Sequence, residues 1–159
     1  MSDATDLIHA LAPVLEHLAS EDPRGGAATA TTLNETWPLG GPVLTAVRAV
    51  INAGLTEGWL TPREAGGVRF GRVAKATDAT HGFSIDAVQM HGPGPGHTHP
   101  NGEFDLCFAQ SGAPEFDGNA PGWTVYAPGT WHTPTVRGGE MVILYFLPGG
   151  AMRFEPRPA

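Results

Sequence analysis

The hydrophobic rhythm of this chain changes once. Through residues 4–20 the apolar positions Leu7, Ile8, Leu11, Leu15 and Leu18 recur every three or four residues, which predicts a helix with one apolar stripe. Asp3 or Thr5 stands where an N-terminal cap belongs, and Pro13 kinks the helix or delays its start. Residues 21–32, a Pro/Gly turn followed by an Ala/Thr run, read as an irregular linker. A second helix is expected after Gly41-Pro42, with Val43, Leu44, Val47, Val50 and Ile51 as its apolar face and Gly54 as its end. Leu55 to Gly67 reads as a connector anchored by Trp59.

From Val68 the period becomes two. Val68–Val73 and Phe83–Val88 alternate, and further strands are expected at 104–109, 123–126 and 141–147. Gly/Pro/Asn-rich turns separate them at 92–96, 111–114, 117–122, 127–130, 137–139 and 148–150. Short strands with this punctuation predict an all-β sandwich or barrel. A single domain is expected, with a helical segment over 1–60 packed on a barrel over 61–159. Two helices in roughly 60 residues make too thin a core to stand alone.

Composition narrows the function. Gly (22) and Pro (15) concentrate after residue 90, as tight turns require. The net charge is −7 and the nine Lys and Arg are scattered, so no basic stripe is present to neutralise phosphates. Nucleic acid and anionic membrane are therefore not expected as partners, and an anionic substrate must meet local arginines. The lone Cys107 cannot form an internal disulfide. Met1 to Asp6 lacks the basic-then-apolar pattern of a secretory signal, and no apolar run approaches the roughly 20 residues of a membrane helix. A cytoplasmic protein is the expectation.

The chemistry concentrates in Gly96-His97-Thr98-His99-Pro100-Asn101-Gly102-Glu103. On a strand, His97 and His99 point to one side. A turn at Asn101-Gly102 returns Glu103 beside them. Pro128-Gly129-Thr130-Trp131-His132 can present a third imidazole after a turn. Three nitrogens and one carboxylate suit Fe, Zn, Mn, Ni or Co, with positions left for water or substrate. Asp105 shares a strand face with Glu103; either can ligate, the other serving as acid–base group. Cys107 continues that face, as a cavity liner or an apolar filler. Arg69 and Arg72 have odd spacing, so only one can point inward to grip a carboxylate bidentately. Tyr126 or Trp131 is placed to stack on a planar substrate. His91 is expected at the barrel rim, and His9 and His17 on the surface of the first helix.

These stretches resemble the two cupin motifs. In the first, Gly92 or Gly96 precedes His97 and His99, Glu103 follows after three residues, and Gly112 stands slightly late. In the second, Gly122, Pro128, Gly129 and His132 match. Val136 replaces the final Asn, a departure that touches the support of His132 rather than the ligand itself. The resemblance implies a jelly-roll barrel, and a homodimer is possible.

A closer resemblance covers most of the chain. Glu57-Gly58-Trp59-Leu60, the run Arg63 to Val73, Thr80-His81-Gly82-Phe83-Ser84, His97 to Leu106, Asp117-Gly118, Pro121 to Gly129, His132 to Val136 and Leu144 to Gly150 are similar to the 4-hydroxylaminobenzoate lyase family. That resemblance implies conversion of 4-hydroxylaminobenzoate to 3,4-dihydroxybenzoate and ammonia in bacterial nitrobenzoate breakdown. It also implies a metal to assist N–O cleavage, Glu103 or Asp105 as acid–base group, and an arginine to anchor the benzoate. The rivals are a cupin dioxygenase acting on a small aromatic acid and a non-catalytic small-molecule-binding cupin.

Overall fold

A computed structural model describes residues 1–159. The first helical stretch is two helices, α1 (Ala4–Ala10) and α2 (Ala12–Leu18). The Asp3 carboxylate accepts the Asp6 N–H, and the Asp6 carboxylate accepts the Asp3 N–H, closing the start of α1. Pro13 falls in the first turn of α2, where a missing N–H costs nothing, so the chain resets at Leu11 instead of bending.

The expected linker at 21–32 is mostly a helix. After a 3₁₀ turn at Pro23–Gly25, α3 runs from Ala27 to Thr36. Its threonines are poor helix formers, and Thr31, Thr32 and Thr36 each bond back to a carbonyl four residues earlier. Docking overrides that weakness. Leu33 is buried, and Asn34 Oδ1 accepts the Trp123 N–H at 3.0 Å, tying α3 to the sheet. α4 spans Pro42–Glu57 and ends at Gly58, whose φ of 86° lies in the left-handed region. Gly54 does not end it. A Cβ there would stand 2.8 Å from the Trp59 ring, so this glycine exists to admit the indole.

Nine strands follow: β1 (Arg63–Ala65), β2 (Val68–Ala74), β3 (Phe83–Met90), β4 (His97–His99), β5 (Glu103–Phe116), β6 (Gly122–Tyr126), β7 (Thr130–His132), β8 (Val136–Pro148) and β9 (Arg153–Phe154). Six form one antiparallel sheet in the order β1-β2-β3-β8-β5-β6, and three form a second in the order β7-β4-β9. Residues 111–114 and 137–139, expected as turns, lie inside β5 and β8. The two strands stay paired there through bulges, because Gly112 stands opposite Gly139 with the Gly138 carbonyl close against it. A Cβ on Gly112 would sit 2.5 Å from the Gly138 carbonyl oxygen.

The architecture is a cupin-type jelly roll with a short helical N-terminal segment. The large sheet is buried on both faces. Phe83, Ile85, Phe104, Leu106, Phe108, Val142, Leu144 and Phe146 pack against Leu7, Leu11, Leu15, Leu33, Val47 and Ile51 from the helices. The alternate residues Met90, Cys107, Met141, Ile143 and Tyr145 face inward, toward the small sheet. No helix is long and apolar enough to cross a membrane.

Candidate metal centre and its cavity

β4 places His97 and His99 on one side, and the turn through Gly102 (φ 83°) hands the chain to β5, so Glu103 arrives in the other sheet facing them. β7 pairs with β4 in the register His97↔His132. The ligand atoms of His97, His99, Glu103 and His132 consequently all lie within 4.8 Å of one another. Glu103 and His99 are fully buried and His97 is 2% exposed. Asp105 is next along the same face of β5, equally buried, and outside that group.

The outward ring nitrogens each have a partner. His97 Nδ1 lies 3.0 Å from the Pro95 carbonyl oxygen, which can only accept. His132 Nδ1 lies 2.7 Å from Asp117 Oδ2, a carboxylate. His99 Nδ1 lies 3.0 Å from Thr130 Oγ1, whose own proton goes to the Ala127 carbonyl. These partners favour hydrogen on Nδ1 in all three rings, the tautomer that leaves Nε2 to turn a lone pair inward. His97 Nε2 and His132 Nε2 stand 3.1 Å apart. His99 Nε2 approaches Glu103 Oε2 to 2.9 Å without the angles of a hydrogen bond, and both Glu103 oxygens lack a hydrogen-bonding partner. Buried lone pairs and a carboxylate left this way are a cost to the fold unless a cation sits among them. The donor set fits a divalent transition metal.

Electrostatics agree with that fit. Burial pushes the His97 imidazole below its ordinary pKa, opposed only in part by Glu103, which keeps the ring neutral. Burial alone would raise Glu103, but the imidazoles of His99 and His97 close around it hold it below the usual carboxylate value. Burial and the neighbouring Glu103 push Asp105 well above its ordinary value.

Beside His97 lies a cavity of about 910 Å³. Its walls include Phe70, Met90, Tyr145 and Phe154, and Arg63, Arg72 and Lys75 bring positive charge to it. Arg72 Nε donates to Asp86 Oδ1 at 2.5 Å, also on the wall. Arg69 is elsewhere, donating to the Thr61 carbonyl at 3.0 Å and pairing with Glu64. Nor do Tyr126 and Trp131 reach this wall. Tyr126 stacks on His99, with ring centroids 5.1 Å apart, and its hydroxyl donates to Asp117. Trp131 donates its Nε1–H to the Glu155 carbonyl, holding the tail that carries β9. His17, expected on the surface, is half-buried and accepts the Trp37 Nε1–H.

A sequence model of the 4-hydroxylaminobenzoate lyase family (PnbB) matches residues 10–154. The chain belongs to this family. A 4-hydroxylaminobenzoate lyase from Nocardioides sp. is 30% identical over 168 residues, covering 99% of this chain and 98% of that one. A second, from Pseudomonas putida, is 27% identical over 141 residues, covering 77% and 80%. Among solved structures, an RmlC-like cupin protein from Ralstonia eutropha is 16% identical with a TM-score of 0.40, over 57% of this chain and 62% of that one. As a member of the lyase family the chain is an enzyme.

Sequence reasoning missed three features of this candidate site: Asp117 behind His132, Lys75 on the cavity wall, and the C-terminal strand β9 that brings Phe154 there. Asp117 is followed by Gly118 and reads as turn chemistry. Only the fold reveals that its carboxylate reaches a histidine fifteen residues on.

Proposed function

We propose that this chain is a metal-dependent lyase that converts 4-hydroxylaminobenzoate and water to 3,4-dihydroxybenzoate and ammonia. The observation that carries the reading is the convergence of three imidazole nitrogens and one carboxylate beside an aromatic-walled, cation-bearing cavity. The names of the two relatives supply the substrate.

The reaction balances without an outside oxidant. The N–O bond breaks and its oxygen leaves, with the bonding pair, as water. A water oxygen bonds to the ring carbon beside the nitrogen-bearing one, leaving a C=N bond. Water adds to that bond, ammonia departs, and loss of a ring proton restores aromaticity. Nitrogen is reduced as carbon is oxidised. A divalent ion on His97, His99, Glu103 and His132 would supply Lewis acidity to the departing oxygen and acidity to a bound water.

The remaining roles belong to side chains. Arg72, with Nε held by Asp86, keeps its Nη fork free for the substrate carboxylate, and Arg63 and Lys75 add charge. Phe70 and Phe154 flank the ring. Asp105, whose pKa burial and the neighbouring Glu103 raise well above the ordinary carboxylate value, is the group that donates and recovers protons beside Glu103. The test is anaerobic. Purified protein loaded in turn with Fe, Zn, Mn, Ni or Co is given 4-hydroxylaminobenzoate, and ammonia and catechol are followed. Ammonia and catechol in equal amounts without oxygen are expected. Absence of both with every metal removes the reading, and turnover only with oxygen points to a dioxygenase.

A further inference from the structure

The three histidines are not backed equally. His97 leans on a carbonyl and His99 on a hydroxyl, but His132 leans on a carboxylate. That carboxylate is itself held from several sides. The Asp117 backbone N–H donates to the Thr135 carbonyl at 2.9 Å, and Asp117 Oδ1 accepts the Thr135 N–H at 2.8 Å. Asp117 Oδ2 accepts from His132 Nδ1 and from the Tyr126 hydroxyl. The Tyr126 ring in turn stacks on His99 and lies 4.3 Å, centroid to centroid, from His132.

We propose that Asp117 is the positioning residue of the metal centre, setting the tautomer and orientation of His132 and strengthening it as a ligand. The inference rests on the metal-centre reading above. One carboxylate joins the end of β5, the end of β6 and the segment just after β7, so the strands that carry Glu103 and His132 are locked to each other through it. Without it, the imidazole can flip and present Nδ1 or a protonated nitrogen to the centre. Val136 occupies the place where the cupin motif carries Asn, and Asp117 supplies the support from a different element. Two negative charges, Glu103 and Asp117, then match one divalent ion. Carboxylates behind metal-bound histidines typically change metal affinity by about 10–100-fold when removed.

Asp117 has φ 50°, a left-handed conformation that Gly and Asn adopt readily. Asp117→Gly therefore deletes the carboxylate without forcing the backbone, and Asp117→Asn keeps an acceptor but not the charge. Each is titrated with Co(II) against a chromophoric chelator, and the visible d–d spectrum of the bound ion is recorded. Asp117→Gly is expected to bind Co(II) about 10–100-fold more weakly, with a shifted spectrum, and Asp117→Asn to fall between it and wild type. Wild-type affinity together with a wild-type spectrum in both variants overturns the proposal. Should Asp117→Gly not fold, Asp117→Asn decides alone: weaker binding supports the role and unchanged binding overturns it. Failure of the wild type itself to bind Co(II) is a different result, which sinks the metal-centre reading and this inference with it.

Discussion

On the face of the large sheet turned to the helices, β5 presents Phe104, Leu106 and Phe108. On the face turned to β4 and β7 it presents Glu103, Asp105 and Cys107. The two sets alternate along one strand and are equally buried. The outer set is apolar and interlocked, as Phe104 against Phe83 with edge-on rings 5.8 Å apart illustrates. The inner set includes carboxylate oxygens with no hydrogen-bonding partner. The outer face holds the fold together, while the inner face gives up stability to hold reactive groups away from water.

That contrast can be broken experimentally. The largest effect is expected at the centre: a strong chelator, or His97→Ala, should abolish ammonia release while the apo protein stays folded by circular dichroism. Activity surviving both would show that the inner face does its chemistry without the ion. Next, Phe104→Ala should cost about 3–5 kcal/mol in urea unfolding, with turnover per folded molecule retained. A smaller loss would mean that the helices can close over the gap. Arg72→Gln should lower kcat/KM by about 1.5–3 kcal/mol, nearly all of it through KM, in steady-state kinetics. An unchanged KM would place the benzoate elsewhere.

The smallest effect concerns Asp86. Burial holds its carboxyl above the ordinary value, and Arg72 offsets this only in part. A group whose folded pKa exceeds its unfolded one costs stability as pH rises from the unfolded value through the folded one. Wild type should therefore lose less than about 1 kcal/mol relative to Asp86→Asn as pH rises from about 4, read from urea midpoints. A parallel pH trend in both proteins would contradict this sign.

The parts of this molecule legible in the sequence are those whose cause is local. Period two from Val68 marks the strands, and His-x-His places two rings on one side of β4 wherever that strand ends up. The parts not legible depend on distant partners. α3 is a weak helix by composition and forms because Asn34 and Leu33 have β6 and the core to dock on. Gly112 signals a turn by itself, yet opposite Gly139 it borders a bulge in a continuous strand. Odd spacing showed that Arg69 and Arg72 diverge, but the choice between them follows from which face of β2 meets the cavity. Asp117 looked like a turn residue because its partner, His132, belongs to another sheet.

β8 lies between β3 and β5 in the sheet, although only residues 91–102 separate β3 from β5 along the chain. Neighbours in sequence are thus kept apart by a segment synthesised much later. Refolding must wait for this insertion, and such non-local pairing places the rate in the slow range, of order milliseconds to seconds. Residues 91–102 are pinned at both ends only after β8 arrives. An ion added to unfolded chains should therefore be captured late, lengthening the lifetime of the finished protein more than it hastens its formation.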